Sequence, residues 1–143
     1  MIITLRAARP DDYGFAKQIY YQTMRWIIER LFGWDEDRED RKFAEQFKRE
    51  EVRIIAADGR DVGWMQTQLR DDAVYLGQLY VTPAWQGRGI GSEVLGRLIA
   101  EAREQGKAIT LSVVKINPAL RLYEAHGFRV THDDEYKYHM RLD

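Results

Sequence analysis

The residues best placed to do chemistry lie between Leu79 and Ser92, in the run Leu79-Tyr80-Val81-Thr82-Pro83-Ala84-Trp85-Gln86-Gly87-Arg88-Gly89-Ile90-Gly91-Ser92. A β-rich segment ends at a proline, glycines alternate at 87, 89 and 91, and an amphipathic helical pattern begins among them. The first amides of a helix have no internal acceptor, converge on one spot, and carry about half a positive charge from the helix dipole. Glycines there let a ligand's oxygens approach the backbone without a Cβ in the way. The chemistry is anion binding, and a diphosphate is the natural guest. The plainer alternative is a strand-to-helix turn, since short glycine motifs recur by chance. Two phosphate loops are excluded. The P-loop fails because Gly91 is followed five residues on by Gly96-Arg97-Leu98, and Gly-x-Gly-x-x-Gly meets Ser92 from Gly87 and Val94 from Gly89.

A second segment reads Asn117-Pro118-Ala119-Leu120-Arg121-Leu122-Tyr123-Glu124-Ala125-His126-Gly127-Phe128. Taken together, Gln86-x-x-Gly89-x-Gly91 and Asn117 through Phe128 resemble the coenzyme A loop and the following helix of the GCN5-related N-acetyltransferase (GNAT) superfamily. The resemblance covers roughly residues 74–130. It implies acetyl-coenzyme A as co-substrate and transfer of an acetyl group to an amine of a small molecule or peptide. By position, the main chain around Leu79, Tyr80 and Val81 would pair with the pantetheine arm as an added strand. Gln86, Gly87, Arg88, Gly89, Ile90, Gly91 and Ser92 would hold the pyrophosphate. Asn117 would hydrogen-bond the arm or the acyl end, and Tyr123 would aim its hydroxyl at the thioester sulfur.

Such a reaction needs an uncharged amine, a donor for the tetrahedral oxyanion and an acid for the leaving thiolate. A main-chain amide of Tyr80 or Val81 suits the oxyanion, and Tyr123 suits the thiolate, whose pKa should be about 8.5 like a cysteine's. The competing reading of Tyr123 is a core tyrosine on a short helix. Many relatives place a glutamate base on the fourth strand, but Gln78 occupies that region and cannot accept a proton. Glu29, Asp35, Glu36, His139 or ordered water remain as bases. An alternative function on the same fold is a non-enzymatic acyl-coenzyme A sensor, which the missing glutamate favours and Tyr123 opposes.

The acceptor pocket is expected in the segment from Met24 to Asp37, with Trp26, Glu29 and Trp34 as candidates, although most acids there read equally as a solvated face. Arg88 and Arg121 are possible phosphate ligands or ordinary surface arginines. His126, His132 and His139 lie six and seven residues apart with no cysteine in the chain, so no metal site is expected.

Positioning these residues requires a scaffold, and its elements are legible. Residues 2–6 read as a strand, and Pro10-Asp11-Asp12 as a stop and cap for a helix from Tyr13 to about Leu31. A second helix runs to about Glu50. Val52 to Ala57 and Asp61 to Met65 flank the turn signal Asp58-Gly59 as a hairpin. A strand from Val74 to Thr82 and a helix bearing Ile90, Val94, Leu95, Leu98, Ile99 and Ala102 on one face follow. Ile109–Val114 is a strand, Pro118 opens a short helix closed by Gly127, and Phe128–His132 and Glu135–Leu142 are final strands. The order predicts an α/β (α+β) protein. With the resemblance, it becomes a mixed, mostly antiparallel sheet of six to seven strands flanked by about four helices.

The 143 residues suit one domain, 45% apolar with 17 aromatics, able to bury a core without staples. The formal charge of −1 gives no footprint for nucleic acid. No apolar run approaches the ~18 residues of a membrane span, and the cysteine-free chain is expected to be cytoplasmic. A homodimer is the commonest assembly to expect if the chain self-associates.

Overall fold

The computed structural model describes residues 1–143. The β-branched and apolar runs form strands β1 (Ile3–Ala7), β2 (Val52–Ala57), β3 (Arg60–Arg70), β4 (Ala73–Val81), β5 (Ala108–Val114), β6 (Arg129–Asp133) and β7 (Lys137–Leu142). Helices α1 (Tyr13–Phe32), α2 (Glu36–Gln46), α3 (Ile90–Glu104) and α4 (Leu120–Ala125) flank them. The strands make one sheet in the order β1-β2-β3-β4-β5-β7-β6. Every neighbouring pair is antiparallel except β4 and β5. A parallel pair needs a long crossover, and α3 supplies it.

Two cores sandwich the sheet. The larger one joins the apolar face of α3 (Ile90, Val94, Leu95, Leu98) to Ile55, Met65, Leu76 and Leu111 of the strands. The smaller one packs Ala16, Ile19 and Phe43 of α1 and α2 on Val52, Ile54 and Trp64. Trp64 is fully buried, and its Nε1 donates to the Ala16 carbonyl at 3.0 Å. That bond satisfies the indole's only polar group and fastens α1 to the sheet.

Local details depart from the sequence reading for identifiable reasons. Asp12 does not cap α1, because its carboxylate takes the Arg6 guanidinium at 2.9 and 3.0 Å and the Arg9 amide at 2.7 Å. Asp35 caps α2 instead, accepting from the Arg38 amide at 3.0 Å. That helix stops at Gln46, short of Glu50, and Arg49–Glu51 form a 3-10 turn. The hairpin strand β3 runs past Met65 to Arg70 because β4 pairs with it over that length.

One irregularity shapes the site. Gln66 pairs with Gln78 but Thr67 pairs with Leu76, so Gly77 is an extra residue in β4. A bulge inverts the inward–outward alternation of the strand beyond it. Val74 and Leu76 before it, and Leu79 and Val81 after it, all pack on the larger core, whereas Tyr80 packs on the smaller one. Pairing between β4 and β5 ends at Leu76 with Leu111, although the strands continue to Val81 and Val114. Past that point they splay apart. No helix is long and apolar enough to cross a membrane.

Candidate active site

The splay between β4 and β5 opens a cleft of about 1020 Å³. Its walls include Leu79, Tyr80 and Val81 of β4, the loop residues Gln86, Gly87 and Gly89, and Ile90, Gly91 and Ser92 at the start of α3. Asn117 and Tyr123 line it from the α4 side, and Trp26 from α1. Arg88, Glu29 and Trp34 are not among its lining residues.

The loop is built as an anion site. Gly87 and Gly89 hold φ at +77° and +82°, a left-handed conformation that costs other residues about 1–2 kcal/mol. The backbone amides from Gly87 through Ser92 donate to no protein acceptor, and no side chain caps α3. Free amides at a helix start, beside a cleft, suit a diphosphate. Gln86 is drawn back to the strand, its Nε2 donating to the Val81 carbonyl at 2.9 Å. Arg88 stacks on the Trp85 ring at 4.5 Å. The Ser92 hydroxyl lies 2.9 Å from His126 Nε2, which links the start of α3 to the end of α4.

Tyr123 is 8% exposed, packs edge-on against Phe128 at 5.9 Å, and its hydroxyl has no protein hydrogen-bond partner. Burial pushes its pKa up to about 12, so it stays protonated. Asn117 divides its amide between two duties. Its Oδ1 accepts from the Ala119 amide at 2.9 Å and fixes the turn into α4. Its Nδ2 meets only the Met24 sulfur, at 3.8 Å, and is the half left for a ligand. Tyr80 donates its hydroxyl to Gln78 Oε1, and burial raises the Tyr80 pKa well above its ordinary value.

Of the residues expected to shape the acceptor pocket, Trp26 is 44% exposed at the cleft wall. Glu29 pairs with Arg25 at 3.1 Å on the outer face of α1. Trp34 sits edge-on to Tyr21 at 4.9 Å and donates its Nε1 to Glu36 at 2.6 Å. Asp35 is occupied as the α2 cap. Of the candidate bases, only His139 is tied to a lining residue, through Ser112. No cluster of three or more His, Cys, Asp or Glu is arranged to hold a metal ion.

Several lining groups escaped the sequence reading. Glu51, in the 3-10 turn before β2, accepts from Gln66 Nε2 at 2.9 Å and from Gln68 Nε2 at 3.3 Å. Gln66 is 7% exposed, and its Oε1 has no partner. These residues form a polar floor at the α2 end of the cleft. Glutamines spaced by two on a strand carry no motif, and only the β2–β3 register, which sets Val52 opposite Gln66, brings Glu51 to them.

Residues 20–128 match the family model described as the acetyltransferase (GNAT) family. Over 55 residues, 37% of this chain, the sequence is 44% identical to an L-methionine sulfoximine/L-methionine sulfone acetyltransferase of Salmonella typhimurium. Over a stretch of the same length it is 40% identical to an L-amino acid N-acyltransferase of Escherichia coli. The matched stretch is 32% of the length of each relative. The fold is similar to that of the PaiA N-acetyltransferase from Thermoplasma acidophilum in complex with coenzyme A. That likeness has a TM-score of 0.80 at 18% identity, covering 99% of this chain and 98% of the other.

Proposed function

The chain belongs to the acetyltransferase (GNAT) family, and on that premise we propose that residues 1–143 act as one catalytic domain. The domain transfers an acetyl group from acetyl-coenzyme A to an amine of a small molecule or peptide. The observation that carries this reading is a single cleft with an anion cradle at one end and a protonated, unpartnered tyrosine hydroxyl in its wall. The amides from Gly87 to Ser92 hold the pyrophosphate, the exposed edge of β4 from Leu79 to Val81 pairs with the pantetheine arm, and Asn117 Nδ2 donates to it. Arg88 reaches the phosphates only by leaving its stack on Trp85.

With both substrates bound, the amine nitrogen bonds to the thioester carbon and the carbonyl becomes an oxyanion. The Val81 amide, on the open edge of β4, stabilises that charge; the Thr82 amide bonds to Val62, so Tyr80 two residues back also faces β3. The carbon–sulfur bond then breaks, Tyr123 protonates the departing thiolate, and the proton shed by the new amide nitrogen restores the tyrosine. The chain has no cysteine, so no cysteine acyl-enzyme forms, and the reading is of direct transfer within a ternary complex. Names of relatives that act on amino acids and their analogues support a small α-amine as acceptor.

The test is a thermal shift with acetyl-coenzyme A, followed by a thiol-release screen of amines. A ligand at 100 times its Kd adds about 2.7 kcal/mol, several degrees for a domain of this size. A shift with turnover is expected. A shift with no turnover on any amine favours a sensor, and no shift at millimolar ligand removes the co-substrate site.

A further inference from the structure

A second polar system meets the cleft on the face of the sheet opposite α3. Ser112 is the first residue of β5 beyond its last pair with β4, and it lines the cleft. Its neighbours Leu111 and Val113 point into the larger core, so its hydroxyl projects toward the other face. Directly across the β5–β7 ladder stands His139, whose Nδ1 lies 2.9 Å from Ser112 Oγ. His139 Nε2 lies 3.1 Å from Asp134 Oδ2. Asp134 is itself fixed, because its Oδ1 accepts from the amides of Tyr136 and Lys137 at 3.0 and 2.8 Å. Three side chains from β5, β7 and the β6–β7 turn thus form one hydrogen-bonded chain from the cleft to solvent.

The donors and acceptors of this chain have one consistent order. An ionised carboxylate only accepts, so His139 presents Nε2–H to Asp134 and a bare Nδ1 to the Ser112 hydroxyl. The arrangement has the base, orienting acid and hydroxyl that proton abstraction needs. The acyltransferase reading requires such a base, because amines arrive protonated and Gln78 cannot serve. The other charged or titratable groups around His139 are few. His132 of β6 stacks on its ring at 4.3 Å and 5°, Lys137 and Arg141 lie two residues before and after it on β7, Arg141 is engaged by Asp143, and Asp133 is engaged by Lys115.

Resting on that reading, we propose that Asp134, His139 and Ser112 form the proton relay that deprotonates the acceptor ammonium. Ser112 Oγ takes a proton from the ammonium nitrogen as it passes its own to His139 Nδ1. The amine becomes neutral and free to attack, and the imidazolium is held by Asp134. The proton then leaves to water from the partly exposed imidazole edge. No covalent bond to Ser112 forms. Ser112 is the group that touches substrate, and Asp134 is a positioning residue.

The experiment is the pH dependence of kcat/KM for an amine that the unsubstituted chain acetylates, compared with Ser112→Ala, His139→Gln and Asp134→Asn. The unsubstituted chain should show an acid limb in kcat/KM, because the relay must start with its base unprotonated. In His139→Gln the limb should vanish and kcat fall at least 10²-fold, with the acetyl-coenzyme A thermal shift intact. Ser112→Ala should lower kcat with the same shift retained, and Asp134→Asn should lower kcat while keeping the limb. An unchanged limb and rate in His139→Gln would overturn the relay alone. An acetyl group found on Ser112 by mass spectrometry after incubation with acetyl-coenzyme A would also overturn it. Absence of turnover by the unsubstituted chain would instead overturn the acyltransferase reading, and the relay with it.

Discussion

Tyr123 and Asn117 show how much one side chain's environment narrows its use. The Tyr123 hydroxyl borders the cleft, finds no protein partner, and is kept protonated by burial that lifts its pKa to about 12. On the proposed reaction, Tyr123→Phe should cut kcat by about 10²-fold or more, the scale of general acid catalysis, while acetyl-coenzyme A affinity is unchanged. Steady-state rates beside a calorimetric Kd check this, and an equal loss in both would make the tyrosine a packing residue. Asn117 supports a sharper separation, because Oδ1 shapes the turn into α4 and only Nδ2 is free. Asn117→Asp keeps the acceptor for the Ala119 amide and removes the donor. Its melting temperature should stay within a degree or two of the parent while acetyl-coenzyme A binds about tenfold more weakly, the worth of one lost hydrogen bond. Both residues line the cleft, and the sequence singled them out as candidates because they lie in a local motif. Ser112 and His139 were not legible as a pair, since 27 residues separate them and only the β5–β7 register brings them face to face.

At the scale of elements, strand and helix order followed from periodicity, yet the cleft depends on features that periodicity does not carry. The Gly77 bulge is invisible in the string, as one glycine among β-formers reads equally as an ordinary strand residue. The pairing of β4 and β5 stops after Leu76 with Leu111, at the residue just before the bulge, a feature of the ladder rather than of either strand's own pattern. Gly63 is a further case. It lies on β3 opposite Val81, and a Cβ placed there would sit 2.2 Å from the Tyr80 carbonyl oxygen. Backbone cannot yield as a flexible side chain does, so Gly63→Ala should push β4 away at the very residues that border the cleft. A loss of about 1–3 kcal/mol is expected, read as a lower urea midpoint at unchanged m value, together with weaker acetyl-coenzyme A binding. Gly89→Ala makes a contrast. Nothing lies within 4 Å of its added Cβ, but its φ of +82° remains left-handed, so the cost is conformational, about 1–2 kcal/mol.

For the whole molecule, the cleft walls come from three layers, and each contributes a tyrosine, Tyr123 buried and Tyr20 and Tyr80 half-buried. Tyr20 on α1 is pushed up to about 12 by burial and the nearby Glu39, Tyr123 on α4 to about 12 by burial, and Tyr80 on β4 well above its ordinary value by burial and neighbouring tyrosines. The Tyr20 and Tyr80 rings meet at 5.5 Å, joining helix layer to sheet. The sign of the linkage follows from the raised values. The unfolded chain loses these protons near pH 10 while the native state keeps them, so the stabilisation is complete below pH 10 and is lost as pH rises through about 12. The loss is on the order of a few kcal/mol, a large share of a domain's margin. Alkaline unfolding should therefore be cooperative between pH 10 and 12, with tyrosinate absorbance of the buried rings appearing in the same step as the loss of far-UV dichroism. Tyrosinate formation complete by pH 10 with the fold intact would contradict it. Acetyl-coenzyme A should move that step to higher pH, because a ligand seated between these layers binds only while all three remain assembled.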